Sequence, residues 1–275
     1  MHKNGGQVNL WLWLSLPITI LLIIAAGAGV FVTNLYRDVP YFVVQARAQD
    51  LISLVVVAPT LAISAYLAGR GSVRAKLIWL GVLIYLVYTY VIAAFDDRFN
   101  ALFLIYVVLF GCSLYALIGG LSTADTAGIQ ASFSEKVPIR IVSIYLAVLA
   151  VLFYFLWLSE IVPATIAGRI PQSIQDNGTA TNAVHVLDMA WMLPAFGITA
   201  IHLWRKRALG YVLAGAILSY IVLLVLAIMS MVVFMARQGY PVFVPQVAIF
   251  GVLFLISLGL LIWYLSGSKT LSASK

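Results

Sequence analysis

Eight apolar runs, each long enough to cross a bilayer, leave this chain few folds to choose from. They cover residues 10–35, 49–69, 75–95, 100–121, 139–162, 183–204, 209–236 and 243–266. A helix needs about 20 apolar residues to cross ~30 Å of hydrocarbon. In lipid every backbone N–H and C=O must be satisfied internally, so each run is expected to be a helix. A closed barrel is the other structure that lipid tolerates, but barrel strands alternate in hydropathy and these runs do not. The first run is too long for the core of a signal peptide, and no A-x-A-like cleavage site follows it, so it reads as a retained span. Composition agrees: 64% of residues are hydrophobic and 9% charged, against roughly 45–50% and 25% in soluble domains. The expected fold is an all-α, polytopic transmembrane bundle of about eight spans.

The basic residues set the orientation. Lys3, Arg70, Arg74, Lys76, Lys136, Arg140, Arg205, Lys206, Arg207, Lys269 and Lys275 share one side of an eight-span chain. Only Arg37, Arg47, Arg98, Arg169 and Arg237 fall on the other. By the positive-inside bias, both termini are expected in the cytoplasm of a cell (inner) membrane. The acids sort the opposite way: Asp125 and Glu135 inside, and Asp38, Asp50, Asp96, Asp97, Glu160, Asp176 and Asp188 outside or at outer helix ends. The net charge of +7 is then explained by topology and by anionic lipids of the cytoplasmic leaflet. The expected partners are therefore the lipid bilayer and those anionic lipids, not nucleic acid, with a homo-oligomer left open. Aromatic residues near span ends, among them Trp11, Trp79, Trp204 and Trp263, form the usual interfacial belt.

Shifting the chain by 135 residues lays the second and third runs on the sixth and seventh. Pro59 meets Pro194, Ile63 Ile198, Ala65 Ala200, Arg70 Arg205, Leu83 Leu218, Tyr85 Tyr220 and Val87 Val222, without a gap. Two apolar helices match often by chance, so the paired prolines and arginines carry most of the weight. The expected organisation is a 4+4 parallel internal repeat: residues 1–121, a cytoplasmic connecting loop 122–138, and residues 139–275. Such a repeat keeps both halves in one orientation, as in parallel-repeat transporters. Ser132-Phe133-Ser134-Glu135 has capping-box spacing, which predicts a short helix ahead of the fifth span. The outer stretch 167–181, with Pro171 and Asn177-Gly178, is expected to be irregular and mobile.

Polar chemistry concentrates where the sixth span begins. His185 and Asp188 are three apart and share a helix face. Asp188 lies roughly 7 Å into the span, where an ionisable group is expensive and normally faces the bundle interior with a partner. Glu160, near the end of the fifth span, lies at similar height. Asp50 is the repeat counterpart of His185. These four residues, His185, Asp188, Glu160 and Asp50, are the candidates for an outward-facing site that binds a cation, relays a proton or holds a metal, with Arg169 and Arg47 as nearby counter-charges. The alternative is that each acid pairs with an arginine or a backbone group. Asp96-Asp97-Arg98 reads as a solvated helix end. Tyr85, Tyr88 and Tyr90 read as helix packing with hydroxyl bonds to neighbours, with the lining of a polar path as the alternative. Gly111, Gly119-Gly120, Gly215 and the Ala26-Gly27-Ala28-Gly29 run are expected to admit neighbouring helices closely.

The segment Asn182-x-Val184-His185-Val186-Leu187-Asp188, followed by Leu193-Pro194, resembles one seen in uncharacterised prokaryotic multispanning membrane proteins. The resemblance covers about the last third of the chain. It implies a bacterial or archaeal inner-membrane setting and no particular function.

Several membrane chemistries are argued against. All lysines lie at termini or span ends, which leaves none for a retinal Schiff base. His185 and His202 sit on one helix about 25 Å apart, not on facing helices as a haem requires. Walker A, HExxH and GxSxG motifs are absent. The single cysteine, Cys112, excludes an intramolecular disulfide and reads as a small buried hydrophobe. No cofactor is expected. The leading expectation is a small transporter or ligand-responsive protein. A membrane-embedded enzyme acting on a lipid or quinone is the first alternative, with an enzymatic role the less favoured, and a scaffold without a site is the second.

Overall fold

The computed structural model describes residues 10–268. The termini carrying His2, Lys3, Lys269 and Lys275 lie outside the described residues. Eight helices are long and apolar enough to cross a membrane: α1 (Leu10–Phe31), α2 (Pro40–Gly69), α3 (Val73–Phe95), α4 (Phe103–Ser122), α6 (Ile139–Ile166), α8 (Ala183–Trp204), α9 (Ala208–Arg237) and α10 (Val244–Ser266). Two short helices, α5 (Thr126–Ser132) and α7 (Gln172–Asn177), lie between them. The described chain has no strand, only an isolated bridge between Phe133 and Ser268. The protein is an all-α, multi-pass integral membrane protein.

The start of α1 and the end of α10 share one face of the bundle with the basic loops. On this terminal face Arg74 donates to the Ser268 carbonyl at 2.6 Å, and Gln130 donates to the Lys206 carbonyl at 2.7 Å. The opposite, distal face carries residues 32–39, 96–102, 167–182 and 238–243. In the middle, α3 is the most enclosed helix and α9 the next. They cross closely because Gly81 on α3 faces the Ala216 carbonyl and Ser219 on α9, with no room for a Cβ. Gly119, Gly120 and Gly215 are likewise covered by Trp11, Trp79 and Leu77, as expected. Gly27 and Gly111 meet nothing within 4 Å, so they do not serve close packing. Outward-facing Ile20, Phe31, Val151, Phe155 and Leu255 are exposed, as side chains solvated by lipid are.

Some boundaries differ from expectation for local reasons. Helix α2 starts at Pro40 rather than residue 49, because Gln45, Arg47 and Gln49 hide its first turns from hydropathy. Proline suits a first helical position, where its missing N–H is not needed. Helix α1 stops at Phe31, and α6 runs through Pro163 to Ile166. The short helix before the fifth span exists, but Asp125 caps it by accepting from the Gly128 N–H at 2.9 Å, and Ser132 is its last residue. The stretch 167–181 is not wholly irregular: it holds α7, ended by Gly178 at φ 64°.

The backbone repeats at the same spacing as the sequence matches. Helices α1 and α6 end at Phe31 and Ile166, 135 residues apart. Helices α3 and α9 begin at Val73 and Ala208, again 135 apart. The intervening turns contain left-handed residues at the same offset, Gly71 at φ 88° and Lys206 at φ 53°. Both α2 and α8 widen for one π turn, Ser53–Val57 and Asp188–Met192, also 135 apart. Each π turn ends just before a proline. Pro59 and Pro194 have no N–H to return to the preceding turn, and a local widening relieves the ring's clash with that turn. The repeat is not kept beyond this: α9 continues to Arg237, whereas α3 stops at Phe95.

Candidate functional site

Asn182 opens α8, its side chain accepting from the His185 N–H at 3.2 Å. This cap fixes the helix start and points His185 and then Asp188 inward, where they are 4% and 9% exposed. The π turn begins at Asp188 itself. Its last N–H, that of Leu193, bonds to the Asp188 carbonyl. In that pattern the Met189 carbonyl would take the N–H of residue 194, which proline lacks. The Tyr154 hydroxyl of α6 supplies the missing donor at 2.6 Å.

The Asp188 carboxylate is held from two other helices. Tyr88 of α3 donates to one oxygen at 3.0 Å, and Trp157 Nε1 of α6 donates to the other at 3.0 Å. The Trp157 ring also lies against the His185 imidazole, with centroids 4.5 Å apart. On its far side, His185 Nε2 lies 3.9 Å from Glu160 Oε2, an ion-pair distance rather than a hydrogen bond. The other Glu160 oxygen accepts from the Ser173 N–H of α7 at 2.9 Å. A polar chain thus runs inward from Glu160, whose side chain is 31% exposed, through His185 and Trp157 to Asp188 and Tyr88. A cavity of about 170 Å³, lined by Glu160, Arg169, Pro171 and Gln175 among others, meets it at the distal face.

Three of the four expected site residues therefore lie in one chain, though not in one coordination sphere. Asp188 reaches His185 only through Trp157. Among the described residues, no group of three or more His, Cys, Asp and Glu side chains is placed to hold a metal ion. Asp50 is elsewhere: its carboxylate accepts from the Tyr36 hydroxyl and fills the space above Gly29. Among the described residues, neither Arg169 nor Arg47 comes within ion-pair distance of these acids, although Arg169 shares the cavity of Glu160. Among the described residues, His185–Glu160 is the sole contact between a basic and an acidic side chain within 4.0 Å. Arg47 instead donates to the Val32 carbonyl at 3.1 Å. The acids are solvated by neutral donors, which leaves Asp188 with no cation beside it.

Asp96 and Asp97 are more than a solvated helix end. Asp96 accepts from the Ala183 N–H at 3.2 Å, tying the end of α3 to the start of α8. Burial raises its pKa above the usual carboxylate value against the lowering effect of that N–H. The Asp97 carboxyl is pushed well above its usual value by burial, then by Asp38, Asp50 and Asp96. The next residue, Arg98, donates its backbone N–H to Asp38 at 2.9 Å.

Trp157 and Tyr88 were not among the sequence candidates. Trp157 could have been found three residues before Glu160, on the same face of α6. For Tyr88 the sequence implies a hydroxyl bond to some neighbour but not which one, because the bond to Asp188 crosses between helices 100 residues apart. No family model matches the chain, and neither a curated protein nor a solved structure is significantly similar to it.

Proposed function

We propose that this protein is a small transporter or ligand-responsive protein of the inner membrane, working on a proton or small cation at Asp188 from the outer side. The observation that carries this reading is that Asp188 is a nearly buried carboxylate within a span, held by two neutral donors and by no cation. Such groups are expensive in a membrane and mark ion or proton pathways. The π turn beneath Asp188 supports the same reading, since π bulges recur at functional sites. The distal face is the outer one on the charge bias, because Arg70, Arg74, Lys76, Arg140 and Arg205 to Arg207 all belong to the terminal face. Glu160 then meets the incoming ion first, His185 passes or repels it, and Asp188 holds it. Neutralising Asp188 weakens two charge-assisted bonds, one of which anchors α8 to α3 of the other half. Binding is thereby coupled to how the halves pack.

The test uses a hydrophobic carbodiimide, which reacts with protonated carboxyls inside membranes. Purified protein in proteoliposomes is labelled and the site is read by mass spectrometry, while proton movement is followed with an internal pH dye. Asp188 is expected to be labelled, with labelling falling as outer pH or cation concentration rises. Asp188→Asn is expected to abolish both labelling and ion-dependent proton movement. An Asp188 that stays unlabelled at every pH and cation concentration would sink the reading and favour a scaffold. Turnover of a lipid or quinone that collapses in His185→Ala would favour the enzyme instead.

A further inference from the structure

A second cleft on the distal face lies between the start of α2, with the loop before it, and the end of α9, apart from Glu160 and Asp188. It measures about 470 Å³ and is lined by Tyr36, Asp38, Arg47 and Gln238, with Val30 and Phe234 on its apolar side. That volume falls in the range of small-molecule sites, roughly 300–1,000 Å³.

Its walls bear one charge of each sign, and the two do not pair. Asp38 and Arg47 are not within 4.0 Å of each other. Each is instead fastened to backbone. Asp38 Oδ1 accepts from the Arg98 N–H at 2.9 Å, and an Arg47 terminal nitrogen donates to the Val32 carbonyl at 3.1 Å. Each also keeps a polar atom with no partner in the protein, Asp38 Oδ2 and Arg47 Nε. Buried polar atoms almost always have partners, so such exceptions call for a cause. Pinned by backbone and unpaired with each other, the two side chains hold opposite charges in place at the cleft, which is preorganisation for a ligand. An anion alone would meet Asp38, and a cation alone would meet Arg47. A ligand carrying both charges satisfies both.

We infer that this cleft binds a small zwitterion, its ammonium against Asp38 and its phosphate or carboxylate against Arg47. The ligand is a free amino-phosphate or amino-acid-like solute, or the phosphoethanolamine headgroup of a lipid whose chain runs down past Val30 and Phe234. The inference does not depend on how Asp188 works.

The experiment is native mass spectrometry of delipidated full-length protein, with thermal unfolding in detergent as a second readout. The probes are short-chain phosphatidylethanolamine, short-chain phosphatidylglycerol and free phosphoethanolamine. Wild type is expected to prefer phosphatidylethanolamine over phosphatidylglycerol by about tenfold. Asp38→Asn should erase that preference, because the anionic lipid then meets no opposing charge. It keeps the Oδ1 acceptor for Arg98, so the loop stays in place. Arg47→Gln should weaken both lipids. If free phosphoethanolamine binds as tightly as the lipid, the ligand is a solute; if binding requires acyl chains, it is a membrane lipid. Equal binding of the two lipids by wild type, binding of none of the probes, or a preference unchanged in Asp38→Asn overturns the proposal.

Discussion

The two halves of the bundle share a backbone device and differ in what they hang on it. In each, a bent helix widens for one π turn before a proline, at Ser53–Val57 and at Asp188–Met192. At matching positions 135 residues apart, the second half has Trp157, Glu160, His185 and Asp188 where the first has Leu22, Ala25, Asp50 and Ser53. Leu22 and Ala25 are packed into the apolar core, so nothing acidic approaches the first π turn from α1. There Ser53 makes a long neutral contact to Tyr85 at 3.4 Å, whereas Asp188 takes two shorter bonds. The first half keeps its acid nearer the distal face, where Tyr36 of the loop holds Asp50. The two π turns are 135 residues apart, the offset at which the sequence matches itself. The pattern also separates two features: the π turn and proline provide the shape, and four substitutions beside it provide the polar side chains.

The largest effect expected from breaking this comparison is steric. Gly29 sits where Ala164 sits in the second half. A methyl group at Gly29 would overlap the Asp50 carboxylate and the Tyr36 hydroxyl. Gly29→Ala should therefore lose about 2–4 kcal/mol, from overpacking and the disturbed Asp50 bond together. The reverse change, Ala164→Gly, should lose only about 0.5–1 kcal/mol, the ordinary helix cost of glycine. Thermal unfolding in detergent, followed by far-UV circular dichroism, separates the two. Similar losses at both positions would mean that the Asp50 niche is not tightly built.

Much of the fold was legible because lipid makes span length and hydropathy nearly decisive. The eight spans, their order and the 135-residue offset all come from runs of residues and from the paired prolines. The start of α2 was not legible, since Gln45, Arg47 and Gln49 make its first turns too polar for a hydropathy window. The site was half legible. His185 and Asp188 announce themselves by charge inside an apolar run, and Glu160 by height. Their partners do not, because Tyr88 and Trp157 look like any other membrane aromatic until three helices are assembled. Asp50 was grouped with the wrong residues for the same reason: the repeat gave its position along α2, while Tyr36, from a loop, decides its company.

The next effect tests whether Asp188 differs in kind from Ser53. Tyr88→Phe and Trp157→Phe each remove one donor from a carboxylate, and each should cost about 1.5–3 kcal/mol. Both should also alter carbodiimide labelling of Asp188. Tyr85→Phe removes only a long neutral contact and should cost at most about 0.5–1 kcal/mol. If the three variants unfold together, Asp188 is not held as the geometry indicates. A smaller loss, about 1 kcal/mol, is expected for Tyr154→Phe, which orphans the Met189 carbonyl. At the first-half position matching Tyr154, Thr19 bonds within its own helix, to the Ser15 carbonyl at 2.6 Å. Thr19→Val should thus leave the first π turn unchanged and cost less.

The smallest effect concerns pH and the acids that only the first half carries beyond its third span. Asp97 matches Val232, so its charge has no counterpart. Its carboxyl is raised well above the ordinary 3.8 by burial, and then by Asp38, Asp50 and Asp96. Above 3.8 the unfolded chain gives up this proton while the folded chain still holds it. Stability therefore declines as pH rises from 3.8 through the folded value, and the full penalty is present above it. Asp97→Asn imitates the protonated form. It should raise the unfolding temperature at neutral pH by a few degrees and flatten the slope on the acid side. The gain stays modest because the residue is half-buried and water screens part of the repulsion. Asp96→Asn should gain less, since the Asp96 carboxylate also accepts the Ala183 N–H that starts α8. The same pH series on Asp188→Asn then isolates the second half. If Asp97→Asn removes most of the acid-side slope, the repulsion among the first-half acids sets it. If the slope survives in Asp97→Asn and disappears in Asp188→Asn, the titrating group that governs folding lies at the second π turn, where the proposed ion site is.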